Sequence, residues 1–189
     1  MVALAILNTA ASTFVDVLQR TPALADIEGF DRMELVLIGG VADVDFAIYP
    51  ATLGPPLKHA LLEAHPGLFH TIGDRFLLRT GRNGVQIDMV PVDALSFRPS
   101  SLSPLSAMNP LLIPQLSATD LIISKAICCG GRGSSKKNAQ DANDTWEVIG
   151  TSPVIAPGVL SPNQVAMLRA QRVDLIRHAP NYAWANVIP

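Results

Sequence analysis

The sequence predicts an α+β fold: a small mixed β-sheet covered by helices, followed by a C-terminal helical portion. Three observations predict it. Apolar residues near the start recur at helical spacing. Short apolar runs with glycine-rich or proline stops then occupy the region from Glu34 to Val90, as strands do. Beyond Ser117 the remaining patterns are helical.

Each element follows from local chemistry. Leu4, Ile6, Leu7, Ala11, Phe14, Val15 and Leu18 line one helical face, and Thr21-Pro22 stops that run. Glu34 to Ile38 is a strand ended by Gly39-Gly40, and Asp43 to Tyr49 is a second strand ended by Pro50. Residues 53–65 read as a helix whose Pro55 and Pro56 are tolerable only in its first turn. Phe76 to Thr80 and Val85 to Val90 are strands joined by Gly81-Arg82-Asn83-Gly84, a hairpin signal. Ser117 or Thr119 can cap a helix running through Cys129, residues 136–149 suggest another, and Ser161-Pro162 opens a third reaching about His178. The expected organisation is an α/β core over 1–98, a Pro/Ser-rich connector over 99–116 that wraps the surface, and a helical portion over 117–189 packed on the core.

Composition bounds the function. The 189 residues are 49% hydrophobic and 16% charged, more apolar than a soluble monomer of this size needs, and a homo-oligomer interface is one outlet. A net charge of -2 and a pI near 6.0 give no global basic field, so sequence-independent binding along a nucleic-acid backbone is not indicated. Two uncharged stretches, 99–119 and 148–168, reach membrane-spanning length, but prolines at 99, 104, 110, 114, 153, 157 and 162 break them. The N-terminus lacks a basic leader and carries Asn8 and Asp16 on its helical pattern. Adjacent Cys128 and Cys129 are too close for a relaxed disulfide and read as free thiols in a reducing compartment. A soluble, cytoplasmic protein with no membrane partner is expected.

The stretch LVLIGGVADVDFAIY carries the most chemistry. In a strand Asp43 and Asp45 share one face, while Val44, Phe46 and Ile48 line the other. Like charges so close repel, and the pair asks for a cation, a basic group or open water. Asp88 has a comparable setting in VQIDMVPVD, where Gln86, Asp88 and Val90 face one way and Val85, Ile87 and Met89 the other. If the two strands are neighbours, three carboxylates converge, a hard-oxygen donor set that suits Mg²⁺. Read alone, D-x-D more often describes solvated strand residues than a metal site. The run from Cys129 to Lys137 has the composition of a phosphate loop but follows a helix and lacks the P-loop spacing, so a helix linker is favoured. The four histidines show no metal-ligand spacing with the cysteines, and Trp146 and Trp184 read as packing residues of the C-terminal helices.

Together LVLIGG at 35–40, DVDFAI at 43–48, QIDMV at 86–90 and LIISKAICCGGRGSSKKNAQDANDTWEV at 121–148 resemble the nucleotidyltransferase-fold superfamily, which includes DNA polymerase beta-like and abortive-infection toxin-type transferases. The resemblance implies an Mg²⁺-dependent transfer of a nucleoside monophosphate from a nucleoside triphosphate to an acceptor, whether protein, RNA or small molecule. It implies Asp43 and Asp45 as the metal-binding pair, Asp88 as the third carboxylate, already the natural candidate base on its residues alone, and Gly39 and Gly40 as the phosphate loop. Lys125, Lys137, Asp141 and Asp144 match the family's helical pattern, with Lys125 or Arg132 expected to neutralise the triphosphate. The family places a short helix between the glycine pair and D-x-D, whereas here only Val41-Ala42 intervene, too few for a crossover between parallel strands. The alternative is a catalytically silent member that keeps the fold as a binding or assembly module.

Overall fold

The computed structural model describes residues 4–39, 43–81, 83–151 and 160–188. These divide into two compact units, Met1–Leu116 and Ser117–Pro189. Gly40, Val41, Ala42 and Arg82, and residues 152–159 with Pro153 and Pro157, lie outside the described residues.

The first unit is built on a sheet with strands β1 (Glu34–Gly39), β2 (Val44–Tyr49), β3 (Phe69–Ile72), β4 (Arg75–Thr80), β5 (Asn83–Pro91) and β6 (Ser103–Pro104), in the order β3-β4-β5-β2-β1-β6. The sheet is mixed: β2 and β5 run parallel, and the other neighbours are antiparallel. Helices α1 (Leu4–Arg20) and α2 (Gly54–Ala64) accompany it. On α1 the buried residues Leu7, Ala10, Ala11, Phe14, Val15 and Leu18 recur every three or four positions, so one stripe faces the sheet. Phe14 stacks on Phe46 of β2 with centroids 5.2 Å apart and meets Phe69 edge-on at 6.3 Å, which seats the helix across strands distant in sequence. The helix stops as expected at Thr21-Pro22, and the Thr21 hydroxyl donates to the Val17 carbonyl at 2.6 Å.

Alternation along β2 and β5 separates two faces. Val44, Phe46 and Ile48, with Val85, Ile87 and Met89, enter the main core beneath α1 and α2. Val36 and Ala47 face a smaller cluster closed by Val92 and Leu95, with Val90 and Tyr49 packed against it. Asp45 and Asp88 belong by alternation to this second face.

Two strands escape the sequence patterns. β3 pairs with β4 through Ile72↔Arg75, leaving a two-residue turn whose Gly73 has φ +62°, a conformation open to glycine. β6 comes from the proline-rich segment 99–116, which joins the first unit: Glu34 pairs with Pro104, and Leu37 accepts from the Leu116 amide at 3.0 Å.

The second unit holds α3 (Ala118–Gly131), α4 (Ser135–Thr151) and α5 (Pro162–His178), with α3 in contact with both others. Ser117 caps α3 by accepting from the Asp120 amide at 3.1 Å. Ser161 and Gln164 form a reciprocal capping box at α5, with Pro162 in its first turn. Trp146 stacks on Tyr182 at 4.7 Å and meets the buried Trp184 edge-on at 5.2 Å. Among the described residues no helix is long and apolar enough to cross a membrane.

Candidate metal centre

The centre is assembled by register. Asp45 stands opposite Asp88 across the parallel β2–β5 pair, so two carboxylates of the same face become neighbours without any help from loops. Asp43, just before β2, adds the third: one carboxylate oxygen from each of Asp43, Asp45 and Asp88 lies within 4.8 Å of the others, and all three residues are half-buried. The convergence expected from the alternation is therefore present. The donor set is composed of anionic oxygens alone, which is the chemistry a hard divalent cation accepts, and a cation also relieves the repulsion among them.

On the other flank, β1 pairs with β2 antiparallel, with a register irregularity between Leu37 and Gly39 that sets Gly39 opposite Asp45. Antiparallel neighbours need only a hairpin, and the crossover required between parallel strands does not arise here. A Cβ on Gly39 would lie 3.6 Å from an Asp45 carboxylate oxygen, so this strand end runs beside the acidic cluster. Gly40, its partner in the expected phosphate loop, lies outside the described residues.

Gln86 is a contact the sequence reading left without a role. Its side-chain amide donates to both oxygens of Asp88, at 3.0 and 2.8 Å. The signal was its i−2 position on the same strand face as Asp88, but spacing alone does not show that the amide turns toward the carboxylate.

Lys125 and Arg132, the residues expected to neutralise a triphosphate, stand in the second unit, each held by carboxylates. The Lys125 ammonium lies 2.9 Å from Asp144 and 3.4 Å from Asp141, and the Arg132 guanidinium 2.6 Å from Asp141. Burial lowers the Lys125 proton affinity, yet its hydrogen bond to Asp144 and the charges of Asp144 and Asp141 outweigh that, leaving its pKa above the usual lysine value. Arg132 behaves alike: burial opposes its charge and Asp141 more than restores it. Asp141 is itself buried, and Lys137 is exposed on α4. Of the phosphate-loop-like run, only Arg132, Gly133 and Ser134 link α3 to α4. Burial, followed by the nearby charges of Asp174 and Asp141, pushes the Cys129 thiol up to about 11, the opposite of an activated nucleophile.

The strand order, the helices that flank it and the acidic cluster on β2 and β5 define a nucleotidyltransferase-like fold. Among solved structures, the chain is similar to an antigenic nucleotidyltransferase-like protein from Paracoccidioides brasiliensis, with a TM-score of 0.63 and 17% identity over 97% of this chain and 93% of that one. No family model matches the sequence, and no curated protein matches it.

Proposed function

We propose that this chain is an Mg²⁺-dependent nucleotidyltransferase that moves a nucleoside monophosphate from a nucleoside triphosphate to an acceptor. The observation that carries the reading is the convergence of Asp43, just before β2, with Asp45 and Asp88 on the adjacent strands β2 and β5 of a nucleotidyltransferase-like fold. These three carboxylates are the residues that would hold the cation. When bound, the cation supplies positive charge for a triphosphate that the acidic cluster alone would repel. Asp88 is the candidate to accept the proton of the acceptor hydroxyl, and the backbone at Gly39 the candidate to lie along the phosphates.

Titration calorimetry with ATP, GTP, CTP and UTP, each with and without Mg²⁺, tests the proposal. At least one nucleotide is expected to bind only with Mg²⁺, and Asp45→Asn is expected to weaken that binding strongly. Absence of binding by all four with Mg²⁺ sinks the transferase reading. The second reading, a catalytically silent binding or assembly module, draws support from the engagement of both Lys125 and Arg132 by Asp141.

A further inference from the structure

The acidic cluster has a built-in orienting group. Asp88 lies on β5 with Gln86 two residues earlier on the same face, and the Gln86 amide nitrogen is nearly equidistant from the two Asp88 oxygens, at 3.0 and 2.8 Å. A donor spanning both oxygens locks the rotation of the carboxylate. It also fills the mouth between the oxygens, where a cation held by both of them would sit. Outward lone pairs remain on each oxygen, so Asp88 can still give one oxygen toward Asp43 and Asp45. Both residues are half-buried, where a neutral amide contact is less exposed to competition from water than on an open surface.

We infer that Gln86 is a positioning residue of the metal centre: it holds Asp88 so that the carboxylate binds a divalent cation through one oxygen, in concert with Asp43 and Asp45. The inference rests on the metal-centre reading above. Partners that orient a ligating carboxylate typically change metal affinity by about 10- to 100-fold when removed. Gln86→Leu removes the amide at similar volume, and Gln86→Met does so with an unbranched chain of similar length.

The test uses Mn²⁺ alone, with no nucleotide, and reads its dissociation constant by electron paramagnetic resonance on the full chain. Gln86→Leu is expected to weaken Mn²⁺ binding about 10-fold, while its thermal unfolding in EDTA matches that of the unmodified protein. On an Asp88→Asn background the same substitution is expected to change Mn²⁺ affinity little, because the carboxylate it orients is gone. If Gln86→Leu unfolds early in EDTA, Gln86→Met takes its place and decides. Unchanged affinity overturns the inference, and so does an equal loss on the Asp88→Asn background. Tighter binding overturns it in another way, by showing that the amide competes with the cation. Failure of the unmodified protein to bind Mn²⁺ is a separate result, and it removes the metal-centre reading itself.

Discussion

Neutralising Asp45 should make the metal-free protein more stable while removing its response to metal. The carboxylate oxygens of Asp43, Asp45 and Asp88 lie within 4.8 Å of one another. At that separation two unit charges repel by about 0.9 kcal/mol in a water-like medium and about 3.5 kcal/mol at an effective dielectric of about 20. The three groups are half-buried, so the lower part of that range applies, and Asp45→Asn relieves two such repulsions at once. A net gain of about 1–2 kcal/mol is expected without metal, or roughly 2–8 °C in melting temperature for a chain of this length. Mn²⁺ at about 100 times its dissociation constant should add about 2.7 kcal/mol to the unmodified protein and far less to the variant. Thermal unfolding in EDTA and in Mn²⁺, for both proteins, reads the two effects in one experiment. A variant that is less stable in EDTA, yet gains as much from Mn²⁺ as the parent, would refute the view that these carboxylates are held together for a cation.

Two further expectations concern the helical unit. Asp141→Asn should destabilise by about 2 kcal/mol in urea unfolding, because Asp141 is buried between Lys125 and Arg132, the figure being discounted for the partial exposure of both cations. Asp144→Asn, more exposed and paired with Lys125, should cost less, and the reverse ranking counts against the network. Because the Cys129 thiol is raised from 9.0 to about 11, its contribution to stability is complete below pH 9 and is lost as pH rises toward 11. Cys129→Ala should therefore flatten the stability curve between those pH values, and parallel curves for the two proteins would contradict the shift.

Much of this fold is legible in the chain. Period-two alternation in Val44 to Ile48 and Val85 to Val90 marks which side chains enter the core and which stand with the carboxylates. Serine caps mark two of the C-terminal helices because their orphan amides need an acceptor. β3 is hidden because only Phe69 of its four residues is buried, so an edge strand leaves little periodic trace. β6 is hidden because two residues carry no pattern, and their pairing with Glu34 and Leu35 depends on a chain segment far away. The candidate centre was readable as three aspartates on matching faces, yet the parallel pairing that sets Asp45 opposite Asp88 is tertiary. The same limit applies to Lys125: its match to a helical pattern says nothing of the two carboxylates that reach it from α4.

The parallel pairing of β2 with β5 also joins parts of the candidate centre that are far apart in the chain. Asp43 and Asp45 are neighbours in sequence, whereas Asp88 is separated from them by the chain that forms α2, β3 and β4. Closing that span costs chain entropy before any contact between β2 and β5 repays it. The candidate centre is therefore expected to be complete only once β5 has paired with β2, since without β5 in place the chain carries the D-x-D pair but no three-carboxylate cluster. Cleavage at the exposed Gly73 turn between β3 and β4 would put Asp45 and Asp88 on separate fragments, so Mn²⁺ affinity compared before and after nicking would report whether the sheet holds them together by itself.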